Sequence, residues 1–549
     1  VSRFCLVTMC LAALAAANPV LDSLVLHTDT IGGTTYDWQQ SGPAIQTVVN
    51  DPTYGVHVTW MYSAAPGPTY PDRDKRYNFY DYAAGAWNFT DPVNYMNSGV
   101  NSFGGYTGYG SIDVHLPTGV AYISGHYSTW PSIVRDAAPG AGIFEECGGP
   151  PNCSAFVWPA SAVDGNGIVH SALIDAPTRS MLYYSRTDPW CTWSTPFYIS
   201  TSPALDPRYP SHNLAASKLS NKLIISWTDP MENDVQLFLR RSTDGGLTWE
   251  DPYSLPPPPA FSPGSDTTPQ YDLTGASIAF DASDDWHLVT TVAPKVQDIT
   301  YIMPAEIWHY CSTQAPQWSR VRRAECDTLH LAAAVGYNAL YACRPSIAFG
   351  RDSRCFVVWE EFDSMNVEPT TDRLRADIKT SLSQDNGANW SDLAAAVTWP
   401  DETSKRFPFA ATCAQGDTMH IVFEKDRMAG FPIRSEGTTT DNPIVYVRAV
   451  WMSGIEEGSG VRAKSLQLSA TPNPFRGRVT FSAVNTGSAW LVISDVAGRS
   501  VRELPLNAHA GSAVWDGRNS TGFRLPAGIY FYRLSAGRST LRGKLLMTD

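Results

Sequence analysis

RSTDGGLTWE, residues Arg241 to Glu250, places Ser242, Asp244, Gly246, Thr248 and Trp249 in the order S-x-D-x-G-x-T-W. The paired glycines permit a tight turn with positive φ. Asp244 can accept hydrogen bonds from the turn's own backbone, which leaves Trp249 to fill apolar space beneath it. A second copy, SQDNGANW at Ser383 to Trp390, keeps Ser383, Asp385, Gly387 and Trp390 in register. Two copies of one turn in one chain point to a repeated unit of short strands.

Working outward, the composition agrees. The 549 residues include 18 Trp, 25 Tyr, 41 Gly and 40 Pro with only 17% charged residues, which suits many short strands joined by turns. Sustained helical periodicity is almost absent, so the class is all-β. The length calls for a large repeat domain plus an appendage. Charge divides the chain in the same way. From Lys464 onward there are 11 Lys and Arg against 4 Asp and Glu, a balance of +7 within a total of −13, so the preceding residues carry −20. An acidic body argues against nucleic acid as a partner, because phosphate binding needs clustered cations.

The opening residues, VSRFCLVTMCLAALAAANP, combine Arg3, an apolar run from Phe4 to Ala16 and an A-x-A site before Asn18. Residues 1–17 are expected to be an export signal, and no other run reaches the length of a membrane helix. Eight cysteines remain beyond it, a number that favours disulfides in an exported chain. Cys147–Cys153 and Cys311–Cys326 are the expected local bridges. CxxC pairs and phosphate-cradling glycine loops do not occur, and no cofactor is expected.

Between the signal and residue 455 a repeat can be followed through its second strand, which often opens near His and closes on an aromatic residue. The copies are GVHVTWMY (Gly55), GVAYISGH (Gly119), GIVHSALID (Gly167), NKLIISWTD (Asn221), DWHLVTTV (Asp285), RCFVVWEE (Arg354) and TMHIVFEK (Thr418). Seven copies, roughly 50–70 residues apart, predict a seven-bladed β-propeller over 18–455, with six blades as the alternative. The S-x-D-x-G turns resemble the Asp-box of sialidase-type β-propellers, a structural turn between a blade's two outer strands. The last repeat lacks its outermost strand, and SLVLHTDTIGGTTYDW (Ser23 to Trp38) is expected to supply it and close the ring.

After a linker at 456–465, residues 466–549 alternate with period two between Asp-Gly and Pro-Ala-Gly turns, which predicts an Ig-like sandwich. Asn473-Pro474-Phe475, Asp495 with Gly498 in DVAGR, Trp515-Asp516-Gly517 in WDGRN, and Gly528 and Tyr530 in GIYFYRL resemble the C-terminal sorting domain of type IX secretion cargo, which overlaps with the Ig-like domain of flagellar hook-capping proteins. The resemblance implies delivery to the outer cell surface by that machinery.

The sialidase resemblance also implies an arginine cluster for a substrate carboxylate. Arg208-Tyr209-Pro210-Ser211, Arg344-Pro345-Ser346 and Arg406-Phe407-Pro408 begin three repeats and could converge on the axis. Each could equally pair with an acid that ends a neighbouring strand: Asp229, Glu360, Glu361 or Glu424. The first repeat reads SGPAIQ, without the arginine that the resemblance calls for. Asp229 and Glu361 are the acid candidates. His57, His170, His287 and His420 recur at equivalent places in different repeats, so a shared metal site is not expected. The expected function is a secreted binding module for a glycan or surface protein, with an exo-acting hydrolase of acidic sugars as the alternative.

Overall fold

The computed structural model describes residues 23–548 apart from 41–45, 68, 151–154, 180, 201–210, 232–233, 262–265, 328–330, 392–393, 453–466, 485–488, 496–498, 507–511 and 537–538. The expected signal, the linker, Arg208, Cys153 and Gly498 lie outside the described residues. The chain forms two compact units, Val1–Gly454 and Ile455–Asp549.

The first unit is all-β and of propeller type. Its sheets are antiparallel and four strands deep, two of them with a short extra strand. In chain order the innermost strands are Val48–Asp51, Ile112–His115, Phe156–Val163, His212–Ala216, Thr267–Phe280, Ala342–Phe349 and Ser404–Ala410. We number these sheets as blades 1 to 7. Each innermost strand packs beside the next, and Ser404–Ala410 returns against Val48–Asp51, so the sheets close on themselves. Inner and second strands are buried on both faces, as in Ala342–Phe349 and Gly55–Tyr62, which explains their near-continuous apolar sequence. Core side chains lie between blades. Phe356, Val358 and Ile378 of blade 6 meet Ile421, Val447 and Trp451 of blade 7.

Serines near the axis tie neighbours together. The Ser111 hydroxyl donates to the Ser161 carbonyl (2.8 Å) and accepts from the Ser161 amide (2.6 Å), and Ser346 accepts from the Ala410 amide (3.1 Å). The ring is closed by Ser23–Thr34, which runs antiparallel to Asn442–Met452 from Ser23 opposite Met452 to Thr34 opposite Asn442. The first described strand is thus the outermost strand of blade 7 and covers the edge of Asn442–Met452.

RSTDGGLTWE forms the turn between the third strand of blade 4, Asp234–Ser242, and the fourth, Tyr253–Leu255. Asp244 accepts from the Thr248 amide (2.9 Å) and hydroxyl (2.6 Å), and Ser242 accepts from the Gly246 amide (2.9 Å). The Ser383 turn repeats this: Asp385 accepts from the Asn389 amide (2.8 Å) and side chain (2.7 Å), and Ser383 from the Gly387 amide (2.8 Å). The tryptophans pack outward from their own blade. Trp249 meets Tyr184 of blade 3 edge-on at 4.8 Å, and Trp390 meets His309 of blade 5 at 5.4 Å. Gly246 (φ +80°) and Gly387 (φ +89°) approach the same two rings so closely that a Cβ would lie 1.9 Å and 2.2 Å from them. Each turn is therefore a joint between blades.

The recurring histidines form the other half of that joint. Nδ1 of His57, His170 and His420 lies 2.7 Å from the hydroxyls of Tyr77, Tyr184 and Tyr446, and His287 meets His309 at 2.8 Å. Every pair is buried within its own blade.

The expected local disulfides need correcting. Cys147 bonds Cys191, with Cα atoms 5.3 Å apart and a sequence separation of 44. Cys147 sits on the outermost strand of blade 2, and Cys191 in the turn after the third strand of blade 3, so neighbouring rims meet there. Cys311 and Cys326 are free thiols. Their strands, Ala305–Cys311 and Trp318–Ala324, are antiparallel, with Ala324 opposite Ala305. Cys311 therefore lies at one end of the ladder and Cys326 beyond the other, roughly 20 Å apart at ~3.3 Å per residue.

The second unit has one sheet of Gln467–Thr471, Val479–Val484 and Ser512–Trp515, and another of Ala489–Ser494, Ser500–Leu506, Gly528–Ala536 and Ser539–Met547. Phe475, Trp515 and Tyr530 stack in its core at 5.5 Å and 5.1 Å. Asn473 donates to the Lys544 carbonyl (2.8 Å) and accepts from the Leu546 amide (2.9 Å). Asp495 and Asp516 accept from the amides of Arg499 (3.0 Å) and Arg518 (3.1 Å). Gly517, at φ +72°, leaves room for the Met547 sulfur. The motif residues thus build the core and hold the last strand.

Candidate functional site

One end of the axis, here called the mouth, is where the innermost strands begin and the second strands finish. Three innermost strands start with the same irregularity. Trp158, Arg344 and Phe407 are left-handed (φ +52°, +52° and +54°), and each precedes a proline. The ladder slips between Val157 and Ala160, Cys343 and Ser346, and Arg406 and Phe409. Bulky left-handed residues cost roughly 1–3 kcal/mol and mark an over-determined site.

This bulge corrects the expectation of equivalent arginines. Arg344 stands where blade 7 has Phe407, whereas Arg406 faces Glu424 just as Cys343 faces Glu360. Arg344 and Arg406 nevertheless meet on one carboxylate. Arg344 donates to Glu360 Oε1. Arg406 reaches both Glu360 oxygens at 3.3 Å, and the Phe407 amide donates to Oε2 at 2.9 Å. All three side chains are buried. Burial would raise the Glu360 carboxyl, but the two arginines and the Phe407 amide outweigh it and hold it at about 2. Both arginines are thus already engaged from within, although Glu360 balances only one of their two charges.

The acid candidates do not join them. Glu361 faces blade 5, accepting two bonds from Arg322 (3.0 and 2.7 Å) and one from the Trp359 indole (2.9 Å). Asp229 is buried on the second strand of blade 4, its carboxyl raised by burial. The acids beside Arg406 are Asp37, Glu424 and Asp426. Burial and mutual repulsion raise Asp37 and Glu424 well above the usual carboxylate range, and burial lifts Asp426 to about 7. Asp37 and Glu424 are thus shifted towards the neutral form and Asp426 is close to half-ionised at neutral pH, so the trio carries less than its formal three negative charges. Among the described residues no group of three or more His, Cys, Asp or Glu could hold a metal ion.

The segment that crosses from the closing strand to blade 1 covers the mouth and carries the features the sequence did not mark. Tyr36 packs on Tyr70 (4.8 Å) and shares a hydrogen bond with the Tyr109 hydroxyl. Trp38 packs on Phe431 (4.6 Å), which in turn lies 5.9 Å from Phe407. Two arginines lie over these rings. Arg73 sits 4.5 Å from Tyr106 and 5.4 Å from Tyr36, with Nε donating to the Thr107 carbonyl (3.1 Å). Arg434 sits 4.3 Å from Tyr337 and 5.1 Å from Trp38. Among the described residues neither has a carboxylate in ion-pair distance. Tyr106 and Tyr337 are 44% and 42% exposed, so ring faces and cations meet solvent together.

No protein family and no curated protein matches this chain. Among solved structures it resembles an ulvan lyase of polysaccharide lyase family PL25 bound to -[GlcA(1-4)Rha3S]-, at 12% identity and a TM-score of 0.45 over 74% of this chain and 94% of that one. It also resembles a second polysaccharide lyase, at 9% identity and a TM-score of 0.42 over 76% of this chain and 92% of that one. A third similar structure is the α-L-arabinanase of Penicillium chrysogenum complexed with arabinobiose, at 11% identity and a TM-score of 0.29 over 54% of this chain and 93% of that one.

Proposed function

We propose that the propeller unit is a binding module for an anionic glycan and engages it at the mouth through Arg73, Arg434 and the rings beside them. The observation that carries this reading is the contrast between two arginine pairs. Arg344 and Arg406 are buried and both engaged by Glu360, whereas Arg73 and Arg434 lie on partly exposed aromatic faces and, among the described residues, have no carboxylate in ion-pair distance. Aromatic faces stack on sugar rings, and guanidinium groups pair with carboxylate or sulfate. A sialidase-like hydrolase, the alternative, would need the buried arginines free to take a substrate carboxylate. The filled Glu360 position therefore favours binding over that chemistry. In this reading the chain is exported, its C-terminal sandwich is the address read by type IX secretion, and the propeller is displayed on the outer surface, where a surface protein bearing acidic groups is a further candidate ligand.

The test is to screen the protein, lacking any expected signal, against acidic and neutral oligosaccharides and to analyse the products after long incubation. Retention of uronate- or sulfate-bearing chains without cleavage is the expected result. Cleavage that is abolished by Arg344→Ala would replace this reading with the hydrolase. For the tail, removal of residues 463–549 should abolish surface display, and normal display of that truncation would remove the sorting role.

A further inference from the structure

At the other end of the axis, where the innermost strands finish, the propeller unit holds a cavity of about 480 Å³ to which all its blades contribute. That volume falls among small-molecule sites, ~300–1,000 Å³. The end opposite is filled: Tyr36, Trp38, Trp158, Phe407 and Phe431 pack there as one buried cluster. Access to the axis is therefore from this end. The wall is mostly apolar and is lined by Val49, Leu116, Leu214, Ile278, Phe280 and Phe349 among others.

Its charges are already matched. Lys218 pairs with Asp113 (2.8 Å) and also donates to the Val114 carbonyl (3.0 Å). Arg351 pairs with Asp417 (2.7 Å). Asp281 accepts from the amides of Ser283 and Asp285 (2.9 Å each) and from the Asn386 side chain (3.1 Å). An ionic ligand would have to displace one of these partners or bring an unmatched charge against an apolar wall.

We propose that this cavity is a second binding site, independent of the mouth, which takes an uncharged and predominantly apolar small molecule. The free thiol of Cys413 lies exposed on the wall and reports on occupancy.

The experiment titrates the full chain with N-phenyl-1-naphthylamine, an uncharged fluorescent probe, and follows Cys413 alkylation in parallel. Saturable 1:1 binding is expected, with Cys413 modification slowed in proportion to occupancy. Thr412→Phe, which places a ring at a half-buried position of the wall, should weaken binding at least tenfold, and Arg73→Ala should leave it unchanged. Because a filled cavity can impair folding, thiol protection in the unmodified protein stands as an independent readout. Non-saturable binding, alkylation indifferent to the probe, equal affinity in a folded Thr412→Phe protein, or preference for the sulfonated analogue would overturn the proposal.

Discussion

Glu360 offers a quantitative handle on the mouth. Its carboxyl is held at about 2 against 4.5 for an unperturbed glutamate, a difference worth about 3 kcal/mol. This lies within the range of roughly 3–5 kcal/mol for removing one partner of a buried ion pair. The folded value is depressed, so the contribution is complete above pH 4.5 and is lost as pH falls through about 2. Glu360→Gln keeps the shape and removes the charge. It should destabilise the propeller unit by about 3 kcal/mol at pH 7, and the gap should narrow to about 1 kcal/mol at pH 3. Denaturant unfolding of both proteins, followed by tryptophan fluorescence at the two pH values, measures it. Glu360→Ala adds a second readout, because formate can occupy the vacated position and should restore part of the lost stability where chloride does not. A destabilisation that is equal at both pH values, or one that formate leaves untouched, would refute the claim that Glu360 acts as the internal counter-ion of Arg344 and Arg406.

Other consequences are more local. Gly387→Ala meets both a left-handed φ and the His309 ring, and should cost about 2–4 kcal/mol by denaturant unfolding. Gly416→Ala, at φ +67° with open space around it, should cost only about 1 kcal/mol. Asp426 behaves oppositely to Glu360: its folded value, about 7, lies above the ordinary 3.8, so the folded state keeps a proton that the unfolded chain releases. Stability should therefore fall as pH rises from about 4 to 7, and Asp426→Asn should flatten that slope in thermal scans. Peptide mapping without reduction should find Cys147 joined to Cys191, Cys326 unpaired, and the buried Cys311 alkylated only after unfolding. Cys191→Ala should cost about 2–4 kcal/mol.

Much of the architecture was legible because its signals are local. The S-x-D-x-G turns, the histidines that open second strands and the apolar runs between them each rest on neighbours a few residues away. The closure by Ser23–Thr34 followed from counting, since one blade lacked a strand and one strand lacked a blade. The mouth was less legible. Arg344-Pro345 and Phe407-Pro408 look one residue out of step in sequence, and only the left-handed bulge shows that Arg344 aligns with Phe407 while both arginines still reach Glu360. Arg73 sits in a loop, PDRDKR, with no motif to mark it, and its meaning comes from Tyr36 and Tyr106, one of them 37 residues away. The cross-blade disulfide was hidden for the same reason. Cys147 and Cys191 are brought together by the packing of neighbouring sheets, which spacing does not encode.

In the proposed function Arg73 and Arg434, and not the arginines buried around Glu360, hold the ligand. Calorimetric titration of an oligogalacturonate into the unmodified protein and into Arg73→Ala/Arg434→Ala tests it most directly. Losing two charge-assisted contacts of about 1.5 kcal/mol each predicts an affinity roughly 100-fold weaker, with an unchanged melting temperature and a shallower salt dependence. Undiminished affinity in the double variant would contradict it.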